Sequence, residues 1–196
     1  MHTEDDLLAH VRTRATDPST RIGVPSLPSQ LLPGLPPPAT SAMLAATEAR
    51  LGFTLPRLLA RVYTEVSDGG FGPGYGLLNL ANLESDGRSL SSVYLDFRAG
   101  DWLERLLPLW DWGCAMWSCL DGRSDEGAIV TSNQGEFATT HFTLYSWIYA
   151  WTTDIDLSQE IFEASEVTRM GINPFTKKPM VFHGGPRSKG RRVTAW

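Results

Sequence analysis

Apolar positions recur at helical spacing over several stretches of this 196-residue chain, and each begins or ends on a recognisable signal. In residues 3–14, Leu7, Leu8 and Val11 share one side and Thr3 stands as a cap, predicting a first helix. Met43, Leu44 and Thr47 set a second helix, capped by Thr40 or Ser41 and closed at Gly52, where glycine takes the left-handed conformation freely. Leu55, Leu58, Leu59, Val62 and Tyr63 form the stripe of a third, which Thr54 and Pro56 open. SDGG, Ser67–Gly70, ends it. Residues 89–98 predict another helix, and Leu144, Trp147, Ile148 and Trp151 recur at i, i+3, i+4, i+7.

Between these helices the pattern changes to strand. Strands are predicted at about 106–110, 112–120, 126–132 and 137–142, and a short one at Leu77–Leu80. Asp121–Gly122 and Asn133–Gln134–Gly135 supply turn chemistry between the last three long strands. Asp156, Glu160 and Glu163 would share one face of a further helix, backed by Leu157, Ile161 and Ala164. Consecutive strands joined by short turns predict an α+β fold, an antiparallel sheet with helices before and after it. Proline crowds Asp17–Pro38, which excludes helix and central strand and reads as an extended wrap or linker. The expected organisation is an N-terminal helix and Pro-rich extension over 1–39, an α+β domain over 40–180 and a basic tail over 181–196.

Charge modifies this picture. All 22 acidic residues fall at or before Glu166, while six of the 17 bases fall from Lys177 onward. Residues 1–176 therefore carry about −11 by formal count and the remainder about +6. An acidic body argues against nucleic acid as the main ligand and suits attraction to a basic protein. No stretch approaches the ~20 apolar residues that span a bilayer. The acidic start, MHTEDDLLAH, is unlike a signal peptide, so a cytoplasmic protein without membrane contact is expected.

The run LPLWDWGCAMWSCLD, Leu107–Asp121, holds three of the seven tryptophans and both cysteines. It reads as a strand pair through the middle of the core sheet. Alternation along it places Trp110 and Trp112 on one side and Trp117 on the other. On one unbroken strand Cys114 and Cys119 would lie about 16 Å apart, beyond disulfide reach, as small buried residues. Asp111, between two tryptophans, is either held for structure or exposed for recognition.

Chemistry finds little support. The four histidines are too scattered for a zinc site, and no metal or cofactor is expected. Neither cysteine sits where a thiol pKa would be lowered for attack, although Cys114 or Cys119 with His141 is a pairing only the fold can test. FGPGYG, Phe71–Gly76, lacks the Lys-Ser/Thr of a phosphate loop. Asp121, Asp125 and Glu126 sit in a polar turn, where solvated carboxylates are ordinary. Exposed tryptophans would allow sugar stacking or an anchored protein interface.

Two stretches carry a family resemblance: LGFTLPRLLARVYTEVSDGGFGPGYGLLNL, Leu51–Leu80, and LPLWDWGCAMWSCLDG, Leu107–Gly122. Together with the Leu144–Trp151 helix and INPFTKKPM, Ile172–Met180, they resemble the SUKH superfamily, in the branch related to the fungal cell-wall assembly regulator. The resemblance implies a non-enzymatic α+β domain with no catalytic set. It implies either an immunity protein that neutralises a toxin by binding it or a regulatory hub for partner proteins. The expected contacts to a protein partner, such as a basic toxin domain, are Trp110, Asp111, Trp112, Asp121, Asp125 and Glu126. The alternative is a regulatory or carbohydrate-binding module using exposed tryptophans.

Overall fold

Side-chain caps start most of the helices. In a computed structural model, which describes residues 3–23, 34–80, 88–164, 168–172, 177–183 and 185–193 (backbone alone for 168–171 and 179–183), Thr3 caps α1, Glu4–Thr16. Its hydroxyl accepts the Asp6 N–H while the Asp6 carboxylate accepts the Thr3 N–H, so two otherwise orphaned donors are satisfied together. Thr40 caps α2, Ser41–Leu51, and Gly52 closes it at φ +81°. Pro56 precedes α3, Arg57–Glu65, Ser89 caps α4, Leu90–Arg98, and Thr143 caps α5, Leu144–Thr152.

The strands β1, Leu106–Gly113, β2, Met116–Asp121, β3, Ala128–Asn133, and β4, Glu136–Thr143, form an antiparallel meander. After α5 come α6, Leu157–Ile161, and short strands β5, Phe162–Glu163, β6, Thr168–Ile172, β7, Pro179–His183, β8, Arg187–Ser188, and β9, Arg192–Val193. The main sheet has the order β1-β2-β3-β4-β9, and β5 with β8 and β6 with β7 form separate ladders. The basic C-terminal residues thus include an edge strand: Arg192 pairs with Ala138 and Val193 with Phe137.

The sheet is covered on both faces. On one face Leu107, Leu109, Trp110, Leu120 and Ile129 pack with α1, α3 and α5 in the larger core. On the other, Leu106, Trp117, Cys119, Val130 and Phe137 pack with Val93 of α4. A bulge between Pro108 and Trp110 lets sequence neighbours Leu109 and Trp110 enter the same core. Leu7, Leu8, Val11 and Ala15 of α1 are at most 1% exposed in that core. Arg61 of α3 clamps α1 from outside through Glu4 and Asp5.

Five expectations change. Only the second half of the Leu107–Asp121 run is interior: β2 pairs on both sides, whereas β1 is the sheet's edge strand. Asp111 lies within β1, and the hairpin turns instead at Cys114–Ala115, both with positive φ (51° and 61°). That two-residue geometry matches the twist of the strands it joins. Cys114 is therefore exposed on a turn, while Cys119 is buried as expected. Leu77–Leu80 makes a single bridge, Leu77 to Trp110, and one bond from the Leu78 N–H to the Leu109 carbonyl (3.0 Å). It shields the open edge of β1 rather than extending the sheet. Finally, α6 stops at Ile161 because Phe162 turns extended to pair with Ser188, so Glu163 leaves the face of Asp156 and Glu160.

Candidate partner-binding site

The six candidate contact residues fall into two groups at opposite ends of the β1–β2 ladder. Asp111 pairs with Trp117 and Leu106 with Asp121. Four steps along β2, about 14 Å of strand, therefore separate Asp111's level from that of Asp121. Trp110, Asp111 and Trp112 lie by the Cys114–Ala115 turn, and Asp121, Asp125 and Glu126 around the β2–β3 turn.

At the first end the loop Phe71–Gly76 is pressed onto β1. The Tyr75 N–H donates to the Asp111 carbonyl at 2.8 Å. A Cβ on Gly74, whose φ is +59°, would stand 2.3 Å from that same carbonyl oxygen, so both the conformation and the close approach demand glycine. Trp110 is 3% exposed and tilted against Trp147 (5.7 Å between centroids), which leaves it no surface to present to a partner. Trp112 is half-buried, edge-on to Trp147 and Phe162, with its Nε1–H donating to the Ser118 hydroxyl at 2.8 Å.

Asp111 is held for structure. One carboxylate oxygen accepts the Gly113 N–H at 2.7 Å and the other accepts from Arg88 Nη2 at 3.2 Å. The first bond fixes the approach to the turn, and the second ties β1 to the segment before α4. Arg88 also lies over the Trp117 ring at 5.4 Å. Tyr75 (half exposed), Asn79, Arg88 and Asp111 line an open cleft of about 290 Å³ here. Pattern reasoning missed Tyr75 and Arg88. The glycine density of Phe71–Gly76 was the available signal, since it marks backbone approaching another element closely.

At the second end Asp121 folds onto its own turn. Its carboxylate accepts the Arg123 N–H at 3.0 Å and a fork of Nε (2.8 Å) and Nη2 (2.7 Å) from the same side chain. Partial burial works to raise the Asp121 pKa. The Arg123 hydrogen bonds and charge together outweigh it, and the carboxyl sits below its ordinary value. Asp125 and Glu126 are exposed and form no ion pair among the described residues. Next to them a polar groove of about 460 Å³ runs past Phe53, Arg105, Arg123 and Asp125. Arg105 has a left-handed backbone (φ 56°) and its guanidinium lies over Phe53 at 5.4 Å.

Nucleophilic chemistry gains no geometry. Burial pushes the Cys119 thiol well up, and among the described residues no hydrogen bond joins His141 to either cysteine. The His141 ring stacks on Phe142 at 4.0 Å. Among the described residues no group of three or more His, Cys, Asp or Glu is placed to hold a metal ion. Nor, among them, is any helix long and apolar enough to cross a membrane.

Residues 38–151, more than half of the chain, match the model of the SMI1 / KNR4 family (SUKH-1). The chain belongs to this family. No curated protein matches the chain significantly. The SUKH resemblance carried by the two sequence stretches is thus confirmed, as is the α+β fold with its antiparallel sheet. The SUKH-1 match spans α2 through Trp151 of α5, including the Phe71–Gly76 loop and both candidate groups. Helix α1 and everything beyond Trp151 lie outside it.

Proposed function

We propose that the chain is a non-enzymatic, cytoplasmic protein-binding domain: an immunity protein that neutralises a toxin of a contact-dependent or polymorphic toxin system by covering its surface. Family membership over residues 38–151 carries this reading. The acidic balance of residues 1–176 supports a basic partner, because opposite charge accelerates encounter and fixes orientation. Asp125 and Glu126 are the contact carboxylates in this reading, since their charge is not consumed by a neighbour. Asp111 and Asp121 hold the two turns in shape, and Trp112 is the half-buried aromatic beside the interface.

The regulatory or carbohydrate-binding alternative needs tryptophan faces open to solvent. Trp110, Trp117, Trp147 and Trp151 are each at most 5% exposed, so the structure favours the protein-binding reading over sugar stacking. The test is protection of cells from the toxin encoded beside this gene, together with capture of that toxin by the purified chain. Reversing charge with Asp125→Lys and Glu126→Lys is expected to lower toxin affinity at least tenfold, mostly by slowing association. Failure of the wild-type chain both to protect and to capture would sink the proposal.

A further inference from the structure

A third cavity opens on the other side of the Phe71–Gly76 loop, where the family-matched domain meets segments outside the match. It measures about 250 Å³. Pro73, Gly74, Trp112 and Trp151 form its family-derived wall, and Arg14 of α1, Gly23 and the Asp154–Ser158 segment form the rest. Aromatic faces and carboxylates therefore meet at one small opening.

The chain already holds one guanidinium here. Arg14 lies over the Trp151 ring at 5.0 Å and pairs with Asp154. This combination of indole face and carboxylate suits a planar cation with several donors. The pairing consumes the charge of Arg14, the single cation among the residues lining the cavity. It uses only one oxygen of Asp154, whose side chain is 79% exposed.

Asp156 adds a second carboxylate. Its Oδ1 takes the Ser158 hydroxyl and the N–H groups of Ser158 and Gln159, capping α6. The Oδ2 of Asp154 accepts no hydrogen bond among the described residues, whereas the Asp156 carboxylate also takes the Gln159 side chain. The Ser158 hydroxyl first, and then the backbone donors and the Gln159 side chain against the opposing effect of burial, hold the Asp156 carboxyl below its ordinary range. The cavity thus has a net formal charge of −1, and Ile155, 46% exposed, supplies an apolar rim.

We propose that this cavity takes an arginine side chain of a basic protein partner, stacked on Trp112 and bonded by the free oxygen of Asp154, with the Asp156 carboxylate adding negative charge beside it. The inference rests on the protein-binding reading above and locates one anchor of the interface. Lysine fits less well, because its ammonium is a compact point charge that lacks the planar face and the several donors a guanidinium brings to an indole and a carboxylate. Because Arg14 and Asp154–Ser158 lie outside the family match, the pocket would give this chain a partner preference of its own.

The test uses the whole chain, labelled with nitrogen-15, titrated at low salt with an end-blocked hexa-arginine peptide and separately with hexa-lysine. The Trp112 indole resonance is expected to move, with hexa-arginine binding at least threefold tighter than hexa-lysine. The double variant Asp154→Asn, Asp156→Asn is expected to bind hexa-arginine at least fivefold more weakly. Asparagine retains the cap of α6, and an unchanged near-ultraviolet circular dichroism spectrum verifies folding. Asp125→Asn with Glu126→Asn should leave peptide affinity within twofold. No peptide binding, equal affinity for the two peptides, an unaffected double variant, or shifts confined to the β2–β3 turn would each overturn the pocket.

Toxin capture separates the two claims. If the wild-type chain captures the neighbouring toxin and the double variant does so equally well, the pocket is wrong and the protein-binding reading stands. If the chain binds hexa-arginine at Trp112 but neither captures the toxin nor protects cells from it, the immunity reading fails and the pocket stands.

Discussion

The two ends of the β1–β2 ladder carry similar residues and put them to different uses. At the Cys114–Ala115 end, Asp111 spends both carboxylate oxygens on Gly113 and Arg88, and a glycine loop is packed onto its carbonyl. At the β2–β3 end, Asp121 is likewise spent on Arg123, but Asp125 and Glu126 extend beyond it with no ion pair among the described residues. A carboxylate that is already hydrogen-bonded has little left to give a partner, whereas an exposed unpaired one gains a partner's cation without first losing an internal bond. Position within a tryptophan-rich run is therefore a poor guide to recognition. The state of each oxygen is the better one.

The largest test of this contrast is in the glycines. Gly74→Ala places a Cβ against the Asp111 carbonyl at a left-handed position, and a loss of about 3 kcal/mol or more in urea unfolding is expected. Gly122→Ala at the opposite end meets the Arg105 carbonyl at 3.0 Å without a left-handed backbone, and about 1 kcal/mol is expected. Equal losses would mean that the two ends are equally tightly built.

Asp111→Ala comes next, costing about 1–2 kcal/mol because the Gly113 N–H and Arg88 lose their acceptor. A loss near zero in equilibrium unfolding would return Asp111 to the surface that a partner reads.

Smaller still is the acid response of Asp121. Its folded pKa lies below the ordinary 3.8, so the stability it supplies is complete above that value and is lost as pH falls through the folded pKa. Asp121→Asn is expected to flatten the decline in unfolding midpoint below about pH 4, and an unchanged slope would remove the Arg123 fork from the account. Smallest is Asp125→Ala, expected to shift stability by no more than about 0.5 kcal/mol in the same unfolding assay. A larger loss would show that this carboxylate, too, is held for structure.

Local signals carried far along this chain. Thr3, Thr40 and Gly52 mark helix ends through bonds within a few residues of themselves, and the Leu144–Trp151 stripe predicts α5 by periodicity alone. The Cys114–Ala115 turn was not legible, because neither residue has the side chain that usually announces two positive φ angles. Nor were β8 and β9: two-residue strands exist only because β5 and β4 are there to pair with them. The candidate site was half legible. Its residue types were visible, but the Arg88 bond to Asp111 crosses 23 residues and the Arg14 bond to Asp154 crosses 140.

By itself, then, the sequence determined the fold class, the helices, the meander and the family, because caps, turns and apolar periods act over a few residues. Tertiary structure alone decided which acids are spent and which are open, and it buried Trp110 while leaving Trp112 beside a cavity. It also brought Arg14 and Asp154 to that cavity from opposite ends of the family domain. Burial and ion pairing depend on groups distant in the chain, and only packing brings those groups together.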